Sequence, residues 1–334
     1  MLIAGQPGWL PAFRTGMQTM SFIDRIDPEV AHAIYEHPPE RYIAIGDDPP
    51  LAREMTLASN LEMRASLPPT DVTIEERAIP GPDGEVPVVI YQPPGPAPRG
   101  GLLWLHGGGY IVGLARDDAR CIEFAEVVGC TVVSVDYRLA PEAKYRESIA
   151  DSFAALNWMV DNADDLGIDT GRVAIGGGSA GGGLSAGLAL YNRDNGGPDL
   201  AYQLLIYPMI DDTHDTPSGH EDTCPTVWNR EVSFKAWKMY LGDEYGTDRV
   251  SPYAAATRAR DLSGLPPALV VVGTLDLFRD ENVDYAKRLM AAGVPTDLLV
   301  YAGMFHGVEM LVMDAVASVR MREGYLSGLK GAIG

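Results

Sequence analysis

Arg172-Val173-Ala174-Ile175-Gly176-Gly177-Gly178-Ser179-Ala180-Gly181-Gly182-Gly183 is the stretch on which the reading of this chain turns. A short apolar run, Val173 to Ile175, ends in glycines with one serine among them, and a small-residue helix follows through Leu184, Ala186, Leu188 and Leu190. Strand, sharp turn and helix is the context in which G-x-S-x-G, here Gly177-Gly178-Ser179-Ala180-Gly181, presents a nucleophile. A serine on such an elbow has a crowded backbone, and glycines two before and two after relieve the crowding. The elbow also puts Ser179 at a helix N-terminus, where backbone N–H groups favour a developing oxyanion. Two other readings compete. With 37 glycines in the chain, the pattern alone is weak. The same stretch also matches G-x-G-x-x-G through Gly176, Gly178 and Gly181, the dinucleotide fingerprint. That unit needs an acid at the tip of the next strand, whereas Asp199 lies before the next apolar run, Tyr202 to Tyr207.

Composition narrows the classes. A chain of 334 residues is one large domain or two small ones, and 46% hydrophobic residues is globular. A formal charge of −20 argues against nucleic acid and anionic membrane surfaces as partners. Three cysteines, Cys121, Cys130 and Cys224, give no disulfide framework and suggest a reducing compartment. No basic segment followed by an apolar core opens the chain, and no run reaches about 18 apolar residues. A cytoplasmic protein without membrane insertion is expected.

Outward from the elbow, β and α patterns alternate. Val72 to Ala78 and Val86 to Tyr91 flank a Pro-Gly turn and read as a hairpin. Strands are expected at 101–105, 131–136, 173–175, 202–207, 268–272 and 296–301. Helices are expected at 116–128, 145–162, 183–191, 280–292 and 307–329. Nearly continuous apolar strands of this kind belong to a mainly parallel sheet covered on both faces. Two segments break the rhythm. Residues 1–70 look helical, with Phe22, Ile23, Ile26, Val30 and Ile34 at helical spacing and a second helix, through Leu51, Met55 and Leu61, entered by Pro49-Pro50. Residues 209–262 hold a polar loop, 211–222, and an amphipathic helix with Val232, Trp237, Tyr240 and Leu241. An insertion of that length is usually a lid or otherwise functional. The chain thus divides into 1–70, 71–208, 209–262 and 263–334.

The chemistry follows from where the polar residues fall. His106-Gly107-Gly108-Gly109-Tyr110 ends the first strand of the alternation, and adjacent glycines let N–H groups converge on a cleft. The N–H groups of Gly107, Gly108 and Ala180 are therefore expected to hold an oxyanion, with His106 as a loop anchor. Of six histidines, His306 alone follows a late strand, where the base must sit in the order Ser…Asp…His. Asp276, after the apolar run 270–272, is expected to supply the carboxylate; Asp280 and Glu281 are alternatives at an expected helix start. In this arrangement Ser179 attacks an acyl carbon, His306 moves the proton, and Asp276 fixes the imidazole tautomer. Activity is then expected to fall on acidification through the imidazole range, about 6.5 for a free side chain.

These stretches, with Tyr137-Arg138-Leu139-Ala140-Pro141-Glu142, Asp276-Leu277-Phe278-Arg279-Asp280-Glu281 and His306-Gly307-Val308, resemble the hormone-sensitive lipase-like carboxylesterases, bacterial esterase family IV. The resemblance implies an α/β-hydrolase fold: an eight-stranded, mostly parallel sheet with helices on both faces. It also implies a helical cap from the N-terminal helices and the insertion after the sixth strand. The activity it implies is a serine carboxylesterase on short- to medium-chain esters, without cofactor or metal, and often a homodimer. Three positions depart from the family's usual motifs: Gly178 stands where Asp or Thr is commonest, Leu277 where Pro is usual, and Val308 where Phe is usual. Trp228, Phe234 and Trp237 are expected either to line a substrate pocket or to pack the cap on the core. Other readings stay open: the same triad on an amide, lactone or carbamate, or a small-molecule receptor on this fold. A metal site from His214, Asp215, His220, Glu221 and Cys224 fits no standard ligand spacing.

Overall fold

The structure, a computed structural model, describes residues 21–37, 44–66, 69–221 and 227–334, without the side chains of 58–66 and Asp117. The expectations for an opening segment within 1–20, for the Leu61 side chain and for Cys224 lie outside the described residues. The strands are β1 (Thr73–Gly81), β2 (Gly84–Gln92), β3 (Arg99–Leu105), β4 (Thr131–Val135), β5 (Ile168–Gly178), β6 (Tyr202–Ile206), β7 (Ala268–Gly273) and β8 (Thr296–Tyr301). They form one sheet in the order β1-β2-β4-β3-β5-β6-β7-β8. The pairs β1–β2 and β2–β4 are antiparallel, and every later pair is parallel.

Strand side chains alternate between two faces, so each strand feeds two cores. Leu103, Leu105, Val133, Ile175 and Leu205 pack on one face, under α2 (Tyr145–Asp161), α3 (Ala180–Asp194) and α5 (Arg279–Ala291). Leu102, Trp104, Val132, Ala174 and Leu204 pack on the other, under residues 120–128 and α6 (Val316–Ile333). The central strands are buried throughout, which accounts for their unbroken apolar runs. β1 and β8 are the two edges, and both are partly exposed.

Three expected helices differ. Residues 116–128 do not form one α-helix: a 3₁₀ turn (Ala115–Asp117) leads to one α-turn (Arg120–Glu123) that widens into a π-turn (Phe124–Val128) and stops at Gly129, φ 79°. Residues 307–329 split into Val308–Leu311 and α6. Among the described residues of 21–37, only the turns Phe22–Arg25 and Ala33–Glu36 are helical. Pro28 explains the break, because it disfavours helical backbone at Asp27, and Ile26 is already extended with ψ 142°. Ile26, Val30 and Ala33 are still buried, so the apolar spacing served packing without a continuous helix.

α1 (Pro49–Ser66) and α4 (Arg230–Leu241) belong to the two segments that interrupt the β–α alternation. Asn229 caps α4 by accepting from the Val232 N–H, and the helix buries Val232, Ala236, Trp237, Tyr240 and Leu241. Lys235 of α4 pairs with Asp47 at 2.6 Å, which ties the two segments together. Arg53 of α1 reaches down to the body: its Nε donates to the Ile111 carbonyl at 2.8 Å, and Nη2 donates to the Ala140 carbonyl at 2.6 Å.

Candidate active site

Ser179 stands between β5 and α3 with φ 57° and ψ −121°, a backbone conformation that side chains rarely adopt. Its surroundings hold it there. The Ser179 N–H donates to the Ile206 carbonyl at 2.9 Å, and its own carbonyl accepts from Gly183 and Met209 N–H groups at 2.9 and 3.0 Å. Gly183 must lack a side chain, because a Cβ there would fall on the Met209 carbonyl oxygen and the Tyr110 hydroxyl. Those two groups are bonded to each other at 2.6 Å.

Loops after β7 and β8 bring Asp276 and His306 to the same rim. His306 Nε2 lies 2.9 Å from Ser179 Oγ, and Nδ1 lies 2.9 Å from Asp276 Oδ2. A carboxylate only accepts, so Nδ1–H donates to Asp276 and Nε2 is left to accept from the serine hydroxyl. Asp276 Oδ1 accepts from the Phe278 N–H at 2.9 Å, which fixes the carboxylate. Tyr207 and Phe278 stand edge-on to the imidazole at 4.6 and 5.1 Å. The three polar residues are 8%, 1% and 6% exposed for Ser179, Asp276 and His306, so substrate must enter through a nearby cavity.

The glycine loop faces the serine. A Cβ on Gly107 would sit 3.5 Å from Ser179 Cβ, and Gly108 has φ 112°. Ala180 opens α3, so its N–H has no acceptor within the helix. His106 is engaged by Tyr137. It stacks on Tyr137 at 4.4 Å, and the Tyr137 hydroxyl donates to the His106 carbonyl at 2.7 Å. The alternative acids are used elsewhere: Asp280 accepts from the Ser218 N–H at 2.7 Å, and Glu281 accepts from the Thr216 hydroxyl at 3.0 Å.

A cavity of about 330 Å³ opens on Ser179, His306, Gly107 and Gly108. Trp228 lines it. Phe234 and Trp237 do not: Phe234 packs on His214 at 5.1 Å, and Trp237 is fully buried against Tyr110 and Tyr240. Both belong to the packing of α4, one of the two roles open for them. A larger hollow of about 700 Å³ lies along β8 and α6 and touches none of these residues. Among the described residues no group of His, Cys, Asp and Glu could hold a metal. His214 is instead buried between Phe234 and Phe278.

A model of the alpha/beta hydrolase fold matches residues 102–310. Carboxylesterase NlhH of Mycobacterium tuberculosis is 39% identical over 272 residues, covering 79% of this chain and 84% of that one. Among solved structures, a bacterial heroin esterase superposes with a TM-score of 0.88 at 38% identity, covering 94% of this chain and all of that one. The hyperthermophilic esterase from the archaeon Pyrobaculum calidifontis gives 0.83 at 31% identity, covering 92% of this chain and 98% of the other. The chain belongs to the hormone-sensitive lipase-like branch of the α/β-hydrolase family.

Within that family the glycine before Ser179 is the departure that the structure explains. A Cβ on Gly178 would press on the Arg120 guanidinium, at 2.6 Å from Nη1 and 2.9 Å from Nη2. Arg120 is almost fully buried. Its Nε and Nη2 donate to the two Asp118 oxygens, both at 2.8 Å, and Nη1 donates to Tyr207 Oη at 3.0 Å. Tyr207 in turn donates to Glu309 at 2.5 Å. Burial opposes both charges of the Arg120–Asp118 pair, yet their attraction outweighs it: the guanidinium is held more basic and the carboxyl more acidic than usual. Burial pushes Glu309 up, with Arg120 and the Tyr207 bond only partly offsetting it. Sequence reading missed this network. The one signal was Gly178 itself, a missing side chain beside the nucleophile.

Proposed function

We propose that this carboxylic ester hydrolase is a serine esterase acting on short- to medium-chain esters through Ser179, His306 and Asp276. The carrying observation is the unbroken relay Ser179 Oγ–His306–Asp276, two contacts of 2.9 Å each. Ser179 Oγ attacks the ester carbon while His306 Nε2 takes its proton. The carbonyl oxygen, now negative, is stabilised by the N–H groups of Gly107, Gly108 and Ala180. His306 then protonates the departing alkoxide, leaving an acyl-enzyme. A water molecule, deprotonated by the same imidazole, releases the acid and restores Ser179. Asp276 holds the tautomer and steadies the imidazolium. Residues 1–70 and 209–262 act as the cap over the core of 71–208 and 263–334, a division that the Lys235–Asp47 pair supports.

The cavity beside the serine is at the small end of ligand sites, and Val112, Trp228, Met310 and Leu311 make most of its wall apolar. Both features favour compact, uncharged acyl groups. The test is a series of acyl esters from acetyl to dodecanoyl, with wild type and Ser179→Ala side by side. Turnover confined to the wild type and declining beyond medium chains is expected. Turnover that survives in Ser179→Ala overturns the mechanism. No ester turnover by either protein, with both folded, returns the chain to the receptor reading.

A further inference from the structure

The cavity wall beside the nucleophile contains a group that ester hydrolysis does not require. Arg120 is 8% exposed and lines the cavity together with Ser179 and His306. It fits there because Gly178 has no Cβ: one would fall 2.6 Å from Nη1 and 2.9 Å from Nη2.

A guanidinium has five N–H donors. Asp118 takes one from Nε and one from Nη2, and Tyr207 takes one from Nη1. One N–H on each Nη nitrogen is left without an acceptor among the described residues. The nearby apolar wall, Val112, Trp228, Met310 and Leu311, offers no side-chain acceptor. A buried donor without an acceptor is costly, and a ligand oxygen that met it would be bound selectively.

Charge decides which kind of oxygen. Asp118 grips the guanidinium through both oxygens, and Glu309 lies a further 3.8 Å from Nη1. The cluster therefore offers donors without net positive charge, which suits a neutral acceptor and not a second carboxylate. We propose that Arg120 determines specificity, donating a hydrogen bond to a neutral oxygen, ether or carbonyl, that the ester carries a few bonds from its scissile carbonyl. This inference rests on the serine-esterase reading above.

The experiment replaces single methylenes by ether oxygen. One series scans butanoyl and hexanoyl p-nitrophenyl esters, with methoxyacetyl as the isostere of butanoyl; a second scans the alkoxy chain of acetate esters. Each kcat/KM is divided by the hydroxide-catalysed rate of the same ester, which removes intrinsic reactivity. At one oxygen position at least, wild type is expected to favour the ether over its all-carbon isostere by about tenfold or more. Arg120→Lys retains part of that preference, Arg120→Leu loses it, and a succinyl half-ester gains nothing. Normalised ratios near one at every position, a preference that persists in Arg120→Leu, or a preferred carboxylate would each overturn the proposal. The wild-type scan stands alone if Arg120→Leu does not fold. Wild type that hydrolyses none of these esters defeats the serine-esterase reading instead.

Discussion

His214 makes the fold sensitive to acid, by an amount that can be worked out. The imidazole is completely buried, edge-on to Phe234 at 5.1 Å and stacked on Phe278 at 5.9 Å. Neither ring nitrogen has a hydrogen-bond partner among the described residues. Burial, helped by the nearby Arg230 cation, lowers its pKa from 6.5 to about 3. The folded protein therefore resists a proton that the unfolded chain accepts. The stabilising effect of the neutral ring is complete above pH 6.5, is lost as pH falls through the interval down to about 3, and levels off below. At pH 5 the loss is 1.5 pH units at about 1.4 kcal/mol each, or about 2 kcal/mol. Phe278 packs against both His214 and His306, so loosening here reaches the proposed base. The assay is urea unfolding at pH 7.5 and pH 5.0 for wild type and His214→Phe. Other groups titrate in the same interval. Glu281, pushed up by burial, has the opposite sign, but it is present in both proteins and cancels in the difference. Wild type should lose about 2 kcal/mol more than the variant between the two pH values. Equal losses would refute the reasoning.

Three other outcomes are expected. Asp276→Asn should lower kcat about 10³- to 10⁴-fold with little change in KM, since it misplaces the imidazole proton and leaves the cavity intact; steady-state kinetics on one short ester measures both. Gly183→Ala should cost about 1–3 kcal/mol or prevent folding, because its methyl lands on the bonded Met209 carbonyl and Tyr110 hydroxyl; the urea midpoint reads it. Arg53→Met should lower kcat/KM about tenfold, because Ile111, which Arg53 holds, is hydrogen-bonded back to the Gly108 carbonyl at 3.1 Å; Glu142→Gln, which breaks only an exposed pair, should do far less.

Much of this molecule is legible in its sequence where local chemistry is strict. The elbow pattern wants glycines around a serine and the expected order wants a histidine after a late strand, so the sequence alone groups Ser179, Asp276 and His306, three side chains that the structure joins by hydrogen bonds. The parallel sheet was legible too, because strands buried on both faces must be apolar throughout. Helix 116–128 was not: its residues are helix-compatible, and only the packing of Phe124 and Val128 under the sheet selects the wider π-turn. The amphipathic stripe of α4 marks a buried face but not what it is buried against, which is why Trp237 could be read as cavity wall. Arg120, Tyr207 and Glu309 are joined over separations of 87 and 102 positions, and no motif links residues so far apart.

β8 is one of the two outer strands of the sheet, and His306 hangs from the loop that follows it. Ser179 lies 127 positions earlier, after β5, with β6 and β7 between the two strands. On the proposed mechanism turnover cannot begin until β8 has docked, and the parallel pairing that completes the sheet is slow. During refolding, hydrolysis of a chromogenic ester should lag behind the return of helical circular dichroism, making the catalyst a clock for completion of its own sheet.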